Sequence, residues 1–417
     1  MASERNLISN VKHNGEWLEN HCKNFMKQLI EQGYSKHSIQ VYELALRRLK
    51  NEIQTRNIGI NDLDITTIEA IQELVVNKTA KTSKKHAKFC IRQFIDFLVS
   101  EHVISQLDTC IKEPTPFDLL KEEYSTYLCH QRALSKSTIG HCISYMERFI
   151  DFHFKGTETI NWDTVTINNI IAFMSYLMNN PRPWKSTAMP SHLRNFFSFL
   201  FWSGKTLKNL ADSIPKVSSR RNDNLPSYIK QEDVERLVEA VRNTKVNGLR
   251  NYAMFLLLAR LGLRPKEVVS IQLEDINWRS GEILIRGKGK YHDFMPLTHD
   301  IGKGIVDYIK NERKGTSRTL FVSSIPPFKQ FKSSLILNTI LHKFYKNTTL
   351  KPPKKYVGSR LLRHSLAVNM LQKGISLDEI SKVLRHRSRI TTTIYAKHDI
   401  NSLRTITQPW PVNGGNQ

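Results

Sequence analysis

The chain has 417 residues, 40% of them hydrophobic, enough for two or three domains with their own cores. No apolar run approaches a membrane span; the longest are short, like Met254–Ala259. Sixty-two Lys and Arg against 38 Asp and Glu leave a formal charge of +24, spread along the chain, so the expected partner is a polyanion, nucleic acid ahead of an acidic protein or a membrane surface.

The N-terminal MASERNLISN is polar and has no apolar signal region, which predicts a soluble, cytoplasmic protein. Five cysteines, Cys22, Cys90, Cys110, Cys129 and Cys142, show no C-x-x-C pair. They predict buried reduced thiols rather than a zinc site or a disulfide framework.

Two stretches about one hundred residues apart repeat one another. YSKHSIQVYELALRRLKNEI (34–53), LDITTIEAI (63–71) and KFCIRQFIDFLVSEHVI (88–104) are followed by LSKSTIGHCISYMERFIDFHF (134–154), DTVTINNIIAFM (163–174) and SHLRNFFSFLFWSGKT (191–206). Each copy opens on Ser-Lys at the start of a helical period, with Ser35 and Ser135 as N-caps. Each ends on Arg-x-Phe-x-x-Phe-Leu: Arg92, Phe94, Phe97, Leu98, then Arg194, Phe196, Phe199, Leu200. Blocks that keep their order and offset predict two related all-helical modules, 1–110 and 111–215.

KVSSRRNDNLPS follows, and 216–227 reads as a linker. A region of mixed character then runs over 228–417. Asp233 opens a helical pattern, ILIRGKGKYHDFMPL (283–297) alternates like a hairpin around Gly287 and Gly289, and helical periods return at 329–346, 361–373 and 377–386. TQPWPVNGGNQ cannot be regular structure. Five pieces of this region carry reactive or anion-binding side chains: Arg264 in ARLGLRPKE, Lys288 in RGKGK, Arg360, Arg363 and His364 in SRLLRHSLA, His386 in VLRHRS, and Tyr395 in TTTIYAKH. Taken singly they are ordinary. A helical arginine is usually solvated, a histidine among leucines usually belongs to the core, and a tyrosine after Ile394 usually packs.

Their order and spacing change that reading. The chain resembles the tyrosine recombinase, or phage integrase, family over about 225–400. Gly262, Leu263, Arg264 and Glu267 match G-L-R-x-x-E. Lys288 matches the lysine of the G-K-G turn. Arg360-Leu361-Leu362-Arg363-His364 matches H-x-L-R-H in part, and Leu384 and His386 match L-G-H, with Tyr395 nine residues after the histidine. Two positions depart from the pattern: Arg360 stands at the first histidine, and Arg385 at the glycine. The resemblance implies a mainly α protein with a small β-sheet, in which two helical SAM-like DNA-binding modules precede a mixed α+β catalytic domain. It also implies site-specific recombination, as in transposon- or island-borne integrases, through a 3′-phosphotyrosine. Neither metal nor cofactor is expected. The implied partners are double-stranded DNA carrying a specific site, three further copies in a tetrameric synapse, and co-encoded recombinases. The implied location is the nucleoid, and DINSLRTITQPWP (399–411) is the candidate for docking on a neighbouring copy, through Leu403, Ile406 and Trp410.

The chemistry has its own logic. A pentavalent phosphorus gathers negative charge on its non-bridging oxygens, and two permanently charged, forked guanidiniums, Arg264 and Arg363, suit it. Lys288 can protonate the leaving 5′-oxygen. His386 can bond a non-bridging oxygen or orient the nucleophile. The expectation for Tyr395 is a phenol whose ionisation the cationic site favours, without a dedicated base. Arg360 stays protonated, so it cannot take the proton that a histidine would accept, and it adds positive charge instead. His364 is open to two readings, proton acceptor or core residue. Two other classes compete: an accessory DNA-binding protein with a disabled site, and a topoisomerase that relaxes supercoils without a specific site.

Overall fold

The computed structural model describes residues 2–56, 58–59, 65–79, 83–104, 115–155, 160–179, 188–216, 226–287, 291–346, 348, 350, 352–353, 358–388 and 390–398. By their contacts, residues 1–105 and 222–417 form one compact unit and residues 106–221 the other.

The two helical repeats fold alike. The first comprises α1 (Ala2–Glu31), α2 (Lys36–Thr55), α3 (Ile65–Asn77) and α4 (Lys84–Ser100). The second comprises α5 (Pro116–His130), α6 (Lys136–His153), α7 (Ile167–Asn179) and α8 (Met189–Trp202). Ser35 caps α2 by accepting from the Ser38 N–H, and Ser135 caps α6 by accepting from the Thr138 N–H. Each cap satisfies a donor that the first turn leaves without an intrahelical partner. The closing motifs also occupy equivalent places. Phe94 and Leu98, like Phe196 and Leu200, are fully buried, and Phe97 and Phe199 nearly so. Each buried Phe contributes about 1.5–3 kcal/mol by leaving water. The arginines differ: Arg92 is exposed, whereas Arg194 donates to the Ile214 carbonyl at 2.8 Å. The thiols are only partly as expected. Cys90 and Cys142 are buried, Cys22 is half-buried, and Cys129 is exposed on the outer face of α5. Cys110 lies outside the described residues.

The region after the linker is built on α10 (Gly248–Arg260), whose run Ala253–Leu258 is buried all round. It packs against α9 (Gln231–Arg242), α12 (His299–Asn311) and α14 (Arg360–Gln372). A helix apolar on every face needs such complete cover. Between α10 and α12 lie the short α11 (Pro265–Ser270) and an antiparallel sheet of β1 (Ile276–Asn277), β2 (Glu282–Arg286) and β3 (His292–Pro296), in that order. On β2 the alternation holds: Ile283 and Ile285 face the core, and Glu282 and Arg286 face outward. Gly287 donates to the Tyr291 carbonyl at 2.7 Å at the neck of the hairpin. The turn residues 288–290, Lys288 among them, lie outside the described residues.

α13 (Leu335–Lys346) begins six residues later than the 329–346 period predicts. Gln330 is bridged to Val322 in extended form, and Ser333 accepts from the Leu335 N–H, so the serines start the helix there. α15 (Leu377–Val383) stops before Arg385, whose φ of +54° ends the helical hydrogen bonding, and α16 (Ile390–Thr393) follows. The segment 399–411 lies outside the described residues, as does most of the linker. Within the first unit, Phe328 sits against Gly33 at the end of α1. No described helix is long and apolar enough to cross a membrane.

Candidate active site

Four chain segments converge beside α10. Gly262, at φ +58°, lets the turn after α10 approach them: a Cβ there would stand 2.7 Å from a Leu384 methyl and 3.0 Å from one of Leu366. The Gly262 carbonyl accepts from Arg363 on α14. Arg363 also donates to the Leu384 carbonyl at 2.5 Å, so one buried guanidinium ties three segments together. Burial and the nearby Arg264 lower its pKa to about 10, which still leaves it charged at neutral pH.

Arg264 is the N-cap residue of α11. Its backbone N–H and its guanidinium each donate to Glu267, at 2.8 Å. Its side chain remains 42% exposed, so the free part of the fork can meet an anion from solution. Glu267 is 5% exposed and holds a second guanidinium on its other oxygen: Arg385 donates to it at 2.7 Å. Burial pushes the Glu267 carboxyl upward, but the Arg264 backbone N–H, Arg385 and the Arg264 guanidinium together hold it below its ordinary value. Sequence reasoning did not anticipate this bridge. Its only signal was an arginine at a motif glycine.

Tyr395 is 1% exposed and packs with Ala367, Val368, Leu371, Ile380 and Leu384. Its hydroxyl lies 2.9 Å from His364 Nδ1. With the imidazole proton assigned to Nε2, the phenol donates to Nδ1. Burial lowers the His364 pKa to about 4, with Arg363, Arg360 and His398 acting in the same direction, so the ring is a neutral acceptor. The two readings of His364 therefore merge: it is largely buried and it is bonded to the tyrosine.

The expectation for the phenol itself is corrected. Burial raises the Tyr395 pKa, and the opposing pull of Arg363 does not offset it. In this state the seat favours the neutral phenol, because burial disfavours the charge more than one guanidinium favours it.

His386 stacks parallel to Tyr395, ring centroids 6.4 Å apart, and its Nδ1 pairs with the Thr392 hydroxyl at 2.8 Å. Burial, then Arg363 and Arg264, lower its pKa to about 4. Arg360, itself exposed, opens the first turn of α14, whose next three residues are buried. The bond to the tyrosine comes from the residue after Arg363, not from Arg360. The structure thus brings together Arg264, Glu267, Arg363, His364, His386 and Tyr395, with Arg360 at the edge. Such a cluster can bind a monoanion between guanidiniums and present a hydroxyl beside a neutral base.

Comparison with known proteins agrees with the geometry. Residues 227–401 match the phage integrase family, and residues 122–204 match the phage integrase N-terminal SAM-like domain. The chain is 31% identical over 388 residues to a protein of Sinorhizobium fredii (strain NBRC 101917 / NGR234) named "Putative integrase/recombinase y4rA", spanning 93% of each chain. It is 33% identical over 382 residues to y4rF of the same organism, spanning 91% of this chain and 88% of that one. Among solved structures, XerH site-specific recombinase bound to palindromic difH substrate aligns with a TM-score of 0.54 at 17% identity, over 70% of this chain and 96% of its own. A lambda integrase dimer bound to a core site aligns with a TM-score of 0.51 at 17% identity, over 66% and 94%. These two likenesses establish the fold, and the full-length relatives establish the kinship: the chain belongs to the phage integrase family and is a site-specific tyrosine recombinase.

Proposed function

We propose that this recombinase integrates and excises a mobile DNA element by cleaving each strand with Tyr395. The observation that carries the reading is the 2.9 Å contact of the Tyr395 hydroxyl with neutral His364, beside Arg363. The phenol oxygen forms a bond to phosphorus, and the phosphorus–O5′ bond breaks. The phenol proton passes to His364 Nδ1, and Lys288 gives a proton to the departing 5′-oxygen. The products are a 3′-phosphotyrosine and a free 5′-hydroxyl. Attack by a 5′-hydroxyl of another strand reverses the step and rejoins the DNA. Arg264 and Arg363 stabilise the charge on the non-bridging oxygens.

The resting pKa order, His364 near 4 and Tyr395 above its ordinary value, opposes ionisation before DNA arrives. A bound phosphodiester offsets the positive field of Arg363 and Arg360 and makes His364 more basic. The phenol oxygen loses electron density as its bond to phosphorus forms, so transfer occurs with attack rather than ahead of it. Because Tyr395 is sealed, its cover must part for phosphorus to reach it. Arg360 acts as an added charge at the edge of the site. The +24 chain binds double-stranded DNA at a specific site, with the helical modules and the catalytic region gripping the duplex, and four copies complete the synapse. Residues 399–411 dock on a neighbouring copy, and co-encoded recombinases share the assembly.

The test uses nicked duplexes tiled across the DNA flanking the coding gene. Wild type is expected to form an SDS-resistant adduct on at least one of them, and Tyr395→Phe on none. No wild-type adduct on any duplex, or an adduct that survives Tyr395→Phe, would refute the reading. An intact DNA-binding profile with no adduct would favour the accessory-protein class instead.

A further inference from the structure

Arg385 is held in a place that its backbone does not favour. Its φ of +54° lies in the left-handed region, which glycine adopts freely and residues with a Cβ adopt reluctantly. Its side chain is nonetheless 8% exposed and reaches Glu267 at 2.7 Å. On its far side, Nη1 stands 3.9 Å from a carboxylate oxygen of Asp293, an ion pair without a hydrogen bond. Nε and Nη1 are buried and have no hydrogen-bond acceptor. Buried donors are seldom left so, and a guanidinium in this state is kept by its charge partners.

Two residues on, Arg387 lies over the Tyr291 ring, 3.5 Å from its centroid. Tyr291 and Asp293 bracket His292 at the start of β3, where that strand leaves the hairpin turn. Thus the two arginines that flank His386 both face one arm of one hairpin. Glu267 joins the same arrangement to α11 and Arg264.

We infer that Arg385 and Arg387 are positioning residues: they anchor the β3 arm to the His386 segment, and so set where the hairpin presents its leaving-group acid. The inference rests on the reading of Lys288 as that acid. It assigns a use to the arginine that replaces the motif glycine.

The experiment compares two substrates on the duplex that yields the wild-type adduct. One has the ordinary scissile phosphodiester. In the other, sulfur replaces the bridging 5′-oxygen. A 5′-thiolate leaves without a proton, because a thiol is far more acidic than an alcohol. Single-turnover cleavage is measured for wild type, Arg385→Gly, Arg387→Ala, Asp293→Asn and Lys288→Ala. Arg385→Gly suits the backbone conformation at that position, and Arg387→Ala leaves the Glu267 bridge untouched, so at least one of the pair tests the anchor in a folded protein. Both are expected to cleave the ordinary substrate about tenfold more slowly, a part of the roughly 10²–10⁴-fold that a general acid supplies, and the sulfur substrate within about twofold of wild type. A merely structural defect would slow both substrates alike, and that result, or wild-type rates on both, would overturn the inference. If Lys288→Ala is restored by sulfur and the arginine variants are not, this inference alone fails. If Lys288→Ala is not restored, the assignment of Lys288 fails and this inference with it.

Discussion

Burial holds Tyr395, His364 and His386 neutral, whereas the neighbouring Glu267, itself buried, is kept ionised by Arg264 and Arg385, which with it make the charged side of the site. Burial dominates on the first side and lowers both histidines to about 4. Pairing dominates on the second, where a carboxylate at 5% exposure stays ionised between two guanidiniums. The difference teaches that a cationic site need not make a phenolate. What matters is how much of the positive field reaches the oxygen against the cost of desolvating it. On the proposed mechanism, the neutral side would gain reactivity only when DNA binds, while the exposed part of Arg264 can meet an anion beforehand.

Arg363 belongs to both sides, so its replacement is expected to have the largest effect. Arg363→Lys loses the fork and the bonds to Gly262 and Leu384, and should slow cleavage about 10²–10³-fold and destabilise the fold by about 3 kcal/mol. Arg264→Lys should slow cleavage comparably with little change in stability, because that side chain is partly solvated. Equal melting temperatures for the two variants would break the contrast. Next, Glu267→Ala leaves the buried Arg385 with only the Asp293 carboxylate at 3.9 Å and no hydrogen-bonded one, and should cost roughly 3 kcal/mol in chemical denaturation. A neutral result would mean that the pairing is not what keeps the second side together.

The pH dependence separates the sides further. His364 and His386 have folded pKa values near 4, below their ordinary 6.5, so the unfolded chain binds their protons first as pH falls. Their stabilising contribution is full above about 6.5 and is lost as pH falls toward 4. Urea unfolding at pH 7 and pH 5 should show this loss, and His386→Asn should reduce it. A stability flat over that interval would contradict the burial argument. The smallest effects should lie outside the site. Ser35→Ala and Ser135→Ala each remove one N-cap bond, costing about 1 kcal/mol apiece. Unequal losses in the two modules would show that the repeated caps are not energetically equivalent.

Much of this was legible in sequence. The helix starts at Ser35 and Ser135 and the buried Phe-x-x-Phe-Leu motifs could be read ahead, because capping and helical period are local signals. Motif order singled out Arg264, Arg363, His386 and Tyr395, which the fold brings into one cluster. The contact between His364 and the tyrosine depends on how α14 meets the segment after α15, and no local pattern encodes that. The Arg385–Glu267 bridge spans 118 residues and was likewise invisible. The sign of the Tyr395 shift was misjudged because charges can be counted along a chain, whereas burial cannot.

The most direct test of the account is the single-turnover cleavage rate of His364→Asn on the duplex that traps wild type. Asparagine keeps a hydrogen-bond acceptor where Nδ1 stands but has no basic nitrogen. The account predicts a rate lower by about 10²-fold or more, with folding and DNA binding retained, and partial recovery when Arg360→His restores a base at the neighbouring turn. A wild-type rate for His364→Asn would contradict it.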